Sequence, residues 1–184
     1  DSPPVRADLP VYLAALGPRM LALAGRIADG VVLNLMSPAQ AGEAARVVRD
    51  AARAAGRDPA SVHVTCVVHC CLSDDAEAAA AAARAVVPRY VLHPAVPRLF
   101  GEGKPDGPDL NPARKLTLAG DRTGAARVTP QQVADAFVAH GDAAACQARV
   151  AQYRAAGVDL PVVAPMPVTS DWDYEPTIAA FSPL

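Results

Sequence analysis

The residues with the clearest chemical potential form a turn, Leu16-Gly17-Pro18-Arg19-Met20. An apolar run over residues 10–16 precedes it and suits a buried strand. Met20, Leu23, Ala24 and Ile27 follow at helical spacing and give one apolar face. Gly before Pro marks the helix start, because Pro at the first helical position gives up no hydrogen bond and already has the right φ. With Gly17 as cap, the N–H groups of Arg19 and Met20 have no partner within the helix. They face the space beyond the end of the apolar run, where the helix dipole favours an anion. Gly17 admits close approach to the backbone, and Arg19 adds a positive charge. The turn is a candidate phosphate site. The residues leave open a plain helix start with a solvated Arg19.

A second group lies in VHVTCVVHCCL, residues 62–72. Its alternation puts Val62, Val64, Cys66, Val68, Cys70 and Leu72 on one face of a strand. His63, Thr65, Val67, His69 and Cys71 share the other. His69 lies near the carboxyl end and titrates near neutrality when unperturbed, so it is a candidate proton donor or ring-stacking group in a substrate pocket. A histidine satisfied by its neighbours is the alternative. His63 is expected to be structural, and His93 and His140 to lie at the surface. Asn34 closes the apolar run that begins at Gly30, in position to hydrogen-bond a substrate or cofactor, or merely to cap a loop. The cysteines do not read as a metal site. Cys66 and Cys70 would stand about 13 Å apart along a strand at ~3.3 Å per residue, and adjacent Cys70 and Cys71 point to opposite faces. Buried small apolar residues are the better account. No nucleophile elbow, Walker loop or G-x-G-x-x-G is present.

The elements that position these residues alternate. Residues 10–34 read as strand, helix, strand, a βαβ unit with parallel strands and a right-handed crossover. Ser37-Pro38 starts a helix that runs to about residue 55 and stops at Gly56. Residues 62–72 are the third strand, and Ser73 and Asp74 cap an Ala-rich helix over residues 75–90. Residues 94–128 are rich in Pro and Gly and read as a long loop, which in a compact domain is functional or disordered. Its charges, Arg114, Lys115 and Arg127 among them, either meet an acidic ligand or are solvated. Thr129-Pro130 starts a helix to about residue 139. Gly141-Asp142 caps the last long helix, which ends at Gly157. Residues 160–164 are the fourth strand, and residues 172–181 a terminal segment.

The totals narrow the class. The chain has 184 residues, 17 Lys and Arg against 19 Asp and Glu, and a net charge of -2. Nothing in that balance suggests nucleic acid or an anionic membrane. No run approaches the roughly 18–20 apolar residues of a membrane span, and no signal-peptide pattern opens the chain. Four Cys without a disulfide-framework pattern place it by default in the cytoplasm.

The stretch PVYLAALGPRMLALAGRIADGVVLN resembles the middle segment of the luciferase-like flavin- or deazaflavin-dependent oxidoreductases, nearest to the branch that includes methylenetetrahydromethanopterin reductase. FVAHGDAAACQARVAQYRAAGVDLPVVAP is similar to the last helix and strand of that family. The resemblance implies an α/β fold, the (β/α)8 TIM barrel, with this chain covering about the C-terminal four βα units. A whole barrel needs about 250 residues, so the expectation is a fragment, inactive or nearly so alone. The resemblance further implies that Leu16, Gly17, Pro18, Arg19 and Met20 bind the cofactor phosphate, that residues 94–128 lie over the barrel mouth, and that Asn34 and His69 face the substrate. The catalytic residues would lie in the absent N-terminal half. The implied activity is hydride transfer between coenzyme F420 and a small organic substrate, with an FMN-dependent monooxygenase as the alternative. A non-catalytic half-barrel that dimerises, or pairs with a missing N-terminal half, is a further reading, since open sheet edges favour association. A flavodoxin-like domain would instead carry helices on both sheet faces.

Overall fold

The structure is a computed structural model that describes residues 8–169 and 173–182. The expected loop at residues 1–7, and Trp172 in the terminal segment, lie outside the described residues. Among these, five strands form one parallel sheet. β1 (Tyr12–Ala14) pairs with β2 (Gly30–Asn34), and β2 with residues 63–67 of β3 (His63–Leu72). β4 (Val138–Gly141) pairs with residues 69–72 of β3, and β5 (Leu160–Pro165) with residues 65–70. A strand residue has one neighbour per edge. Residues 65–67 meet both β2 and β5, which therefore lie on opposite edges. His69 and Cys70 meet both β4 and β5, so β4 prolongs the edge that β2 occupies, beyond the carboxyl end of β2.

One face of this sheet is packed with helices. α1 (Pro18–Ile27) and α2 (Pro38–Ala54) lie against it, joined by α8 (Ala143–Ala155). Their facing sides are small. Ala24, Ala41, Ala44, Ala45 and Ala52 are buried against Val31, Leu33, Val64, Cys66 and Val68. A Cβ added at Gly25 would run into the Val48 carbonyl, so α1 and α2 touch backbone to backbone there. Ser37 caps α2 in a reciprocal pair. Its Oγ accepts from the Gln40 N–H at 3.3 Å while Gln40 Oε1 accepts from the Ser37 N–H at 3.0 Å. Tyr153 of α8 is buried and donates its hydroxyl hydrogen to the Met36 carbonyl at 2.7 Å.

Between β3 and α8 stand five helices: α3 (Ala76–Val86), α4 (Val96–Leu99), α5 (Asn111–Leu118), α6 (Arg122–Val128) and α7 (Gln131–Phe137). They have their own core. Val87, Val91, Val96, Phe100, Leu110, Val133 and Phe137 pack together, with the Phe100 and Phe137 rings 4.7 Å apart. Leu35, just past β2, joins this core in a left-handed conformation (φ 54°). Gln40 Nε2 donates to the Leu99 carbonyl at 2.8 Å. The helices therefore cap the carboxyl end of the strands.

Five expectations need correction. The run over residues 10–16 is not a buried strand: only Tyr12–Ala14 pair, at the sheet edge, with Tyr12 and Ala14 exposed. The face that α1 buries is Leu21, Ala24 and Gly25, leaving Met20 and Ile27 43% and 68% exposed. Residues 94–128 are not one long loop; Pro at the first turn starts α4 and α5, and Asp121 caps α6 by accepting from the Gly124 N–H at 2.8 Å. The helix beginning near residue 130 stops at Phe137, and residues 138–141 leave it to become β4, because the open edge of β3 offers them backbone partners. The Ala-rich helix ends at Val86, and a 3₁₀ turn, Val87–Arg89, follows it.

Candidate functional site

The strand alternation expected for residues 62–72 holds. Val64, Cys66, Val68 and Cys70 are sealed against the helices, while His63, Thr65, Val67, His69 and Cys71 take the opposite, inner face. The register adds Val32 and Asn34 from β2, opposite Thr65 and Val67, and Val162 and Ala164 from β5, opposite Val67 and His69. The carboxyl end of this face is where the candidate residues collect.

His69 is 6% exposed. Its Nε2 lies 3.1 Å from the Tyr90 hydroxyl, with the ring centroids 5.5 Å apart. Burial pushes its pKa down to about 4, and the nearby Arg89 guanidinium acts in the same direction. The imidazole is therefore neutral at ordinary pH, which removes the imidazolium form as proton donor. If Tyr90 donates to Nε2, then Nδ1 carries the hydrogen; if Nε2 donates, Nδ1 is an acceptor. Nδ1 is buried without a partner among the described residues, and so is Oδ1 of Asn34. Two polar atoms on one face are thus left for something else to satisfy.

The Gly17 turn stands two strands away, at a lateral distance of about 10 Å from β3 at ~4.8 Å per strand. Gly17 has φ −102° and ψ 156°, Pro18 opens α1, and among the described residues no side chain caps the turn. The first intrahelical hydrogen bond runs from the Leu21 N–H to the Gly17 carbonyl at 3.0 Å. A Cβ at Gly17 would meet nothing within 4 Å. Neither backbone conformation nor packing requires glycine here, and the turn is open to an approaching group.

The other candidates resolve as follows. His63 receives or makes a 2.6 Å hydrogen bond with the Tyr12 hydroxyl at the amino-terminal end of the sheet, a structural role as expected. His93 is exposed, with Nδ1 accepting from the Ala95 N–H at 3.3 Å. His140 is not a bare surface residue: its Nε2 lies 2.9 Å from Asp135 Oδ1. All four cysteines are free and buried, and burial pushes the Cys66 and Cys71 thiols up to about 12, which leaves them protonated and unreactive. Among the described residues no group of three or more His, Cys, Asp or Glu could hold a metal, and no helix is long and apolar enough to cross a membrane. Tyr90 and Arg89 are the site neighbours that sequence reasoning missed; they lie 21 and 20 positions from His69, with no local pattern to link them.

A sequence model of the family described as luciferase-like monooxygenase matches residues 2–160. The chain belongs to that family. Among luciferase-like relatives, the 5,10-methylenetetrahydromethanopterin reductase of Methanopyrus kandleri is 29% identical over 166 residues, 85% of this chain and 45% of that protein. A putative coenzyme F420-dependent oxidoreductase of Mycobacterium tuberculosis is 29% identical over 171 residues, 87% of this chain and 48% of that protein. The solved coenzyme F420-dependent tetrahydromethanopterin reductase from Methanopyrus kandleri superposes with a TM-score of 0.71 at 27% identity, over 86% of this chain and 45% of that one. The chain thus spans about half the length of these luciferase-like relatives, and its α/β parallel sheet is part of their barrel fold.

Proposed function

We propose that this chain supplies the C-terminal-half elements of a coenzyme F420-dependent oxidoreductase acting on a small organic substrate. The observation that carries the reading is the likeness, across more than four-fifths of the chain, to two proteins whose names include F420 or its reductase chemistry. The open Gly17 turn and the two unpartnered polar atoms, Asn34 Oδ1 and His69 Nδ1, are features that a bound cofactor and substrate would use.

In this reading Leu16, Gly17, Pro18, Arg19 and Met20 hold the cofactor phosphate. The N–H groups of Arg19 and Met20 donate to it, the Arg19 guanidinium balances its charge, and Gly17 keeps the approach clear. The bound deazaflavin supplies the hydride chemistry. Asn34 presents an acceptor towards the pocket. His69, neutral and oriented by Tyr90, presents a donor or an acceptor at Nδ1 and stays uncharged. The helical cap excludes water from the carboxyl end of the strands. The inner face leaves Tyr12, Leu160 and Val162 exposed. It is completed by further barrel strands, from the same polypeptide or a second chain, so the 184 residues alone turn over little or no substrate.

Titration with F420 and, separately, FMN, followed by fluorescence, tests the cofactor. F420 should bind the chain, and Gly17→Val should abolish that binding without lowering the melting temperature by more than a few degrees. Preference for FMN would overturn the cofactor assignment, and undiminished F420 binding by Gly17→Val would overturn the phosphate site. Light scattering tests the completion of the inner face; a clean monomer at every concentration counts against self-association.

A further inference from the structure

A cleft of about 940 Å³ lies on the helical cap, between α3, the turn Val87–Arg89, α5 and α6. Four arginines line it, Arg84, Arg89, Arg122 and Arg127, together with the hydroxyl-bearing Thr117 and Thr123. No lining residue is acidic. The chain as a whole is slightly acidic, so the clustering is local and not a sample of a basic surface.

Outside the cleft, among the described residues, some arginines are ion-paired while others, such as Arg57 and Arg149, bond only to backbone carbonyls or a neutral amide. Arg46, Arg49, Arg53 and Arg114 are each paired with a carboxylate at 2.5–3.0 Å. Among the described residues Arg89, Arg122 and Arg127 make no ion pair, and Arg84 donates only to the neutral Gln131 amide. Asp121, next in sequence to Arg122, has its Oδ1 committed to the start of α6, where it accepts from the Gly124 N–H. Guanidinium groups gathered around one space repel one another unless an anion sits among them, and their planar forks suit carboxylate and phosphate oxygens. The field of this group reaches inwards too. Arg89 disfavours the protonated form of His69 and favours the thiolate of Cys71.

We propose that the cleft binds a small ligand carrying at least two negative charges, as phosphates or carboxylates. Its size and concavity suit a small molecule. The Thr123 hydroxyl adds one hydrogen-bond donor, whereas the Thr117 hydroxyl is already committed to the Ala113 carbonyl at 2.7 Å. The cleft lining includes no residue of the Gly17 turn or of the strands, although Arg89 on its wall also acts on His69, and the proposal stands whichever cofactor the barrel takes.

Calorimetric titration of the chain with inorganic pyrophosphate and, in a parallel arm, with tricarballylate tests it. Saturable binding of one molecule per chain is expected, weakening as NaCl rises towards 0.15 M. The double variant Arg122→Ser/Arg127→Ser should weaken it by roughly tenfold or more with an unchanged circular dichroism spectrum, since both side chains are exposed. The single variant Arg127→Gln gives a smaller loss of the same sign if the double variant does not fold. Pyrophosphate binding alone identifies a phosphate ligand, and tricarballylate binding alone a carboxylate ligand. Three results overturn the proposal: no saturable binding of either anion; a loss of the same size in Arg46→Ser, on the far surface of α2; or a loss in Gly17→Val with binding intact in the double variant, which would assign the anion to the Gly17 turn.

Discussion

The two faces of β3 take alternate positions of one ten-residue strand and differ in almost everything else. On one, Val64, Cys66, Val68 and Cys70 are fully sealed by α2 and α8. On the other, His63 is exposed, Val67 is half-buried, and the neighbouring Leu160 and Val162 of β5 are 54% and 42% exposed. The first face is finished by the chain itself; its side chains are apolar, small and matched to alanine-rich helices. The second is punctuated by polar groups, and two of its buried polar atoms have no partner among the described residues. Chemistry needs groups whose hydrogen bonds are not already spent, and only the second face supplies them. Stability should therefore depend steeply on the first face and weakly, or even inversely, on the second.

The largest effect is expected on the sealed face. Leu33 is fully buried among α1, α2 and β3 residues, and Leu33→Ala should cost roughly 3–4 kcal/mol by opening a cavity the backbone-tight helices cannot fill. Denaturant unfolding measures it; a cost near 1 kcal/mol would mean that the core relaxes. The next effect belongs to His69. Its folded pKa, about 4, lies below the ordinary 6.5 because burial and then Arg89 oppose the charge. Between these values the unfolded chain binds more protons than the folded one, so stability falls as pH drops from about 6.5 to 4 and levels off below that. The loss approaches ~3 kcal/mol at its limit. His69→Gln should flatten the pH profile over this window, and an unchanged slope in the variant would show that other groups carry it.

Much of this contrast was legible in the sequence. The period-two alternation of residues 62–72 separated the faces because every second position is apolar while the positions between mix His and Thr with Val and Cys. Gly17-Pro18 and Ser37-Pro38 marked helix starts because their signals are local. The same kind of signal was present at Pro97 and Pro112, yet the surrounding Pro and Gly read as a loop, since α4 and α5 are short and are held by a core that includes Leu35, Val87 and Phe137 from distant positions. β4 was illegible for a stronger reason. Val133, Ala134 and Phe137 continue a helical spacing into residues 138–141, and only the register with residues 69–72 pulls those four into the sheet. The candidate site divides in the same way. His69, Asn34 and the Gly17 turn follow from position on their elements, whereas Tyr90 and the arginine cleft exist only once the cap has folded.

A smaller effect distinguishes a satisfied polar group from an unsatisfied one. The Tyr153 hydroxyl, buried on the helix-packed side, donates to the Met36 carbonyl, and burial pushes its pKa up. Tyr153→Phe should lower stability by about 1–2 kcal/mol, because the ring still fills its space while the carbonyl loses its donor. A cost below ~0.5 kcal/mol would show that water replaces the hydroxyl.

Asn34 gives the smallest effect and the one with the sign reversed. It follows Leu33 directly but points to the inner face, with Oδ1 buried and unpartnered. Asn34→Val removes an acceptor that nothing among the described residues satisfies and places a β-branched residue in a strand. The chain should keep its stability or gain up to about 1 kcal/mol, read from the same denaturant titration as Leu33→Ala. A loss of more than 1 kcal/mol would mean that the amide is satisfied in the folded chain, and the contrast between the faces would then reduce to a difference in packing. Retained or raised stability together with weaker F420 binding would instead mark Asn34 as a residue kept for a ligand at the expense of the fold, since a polar atom left unpaired in the free chain lowers stability until a partner arrives.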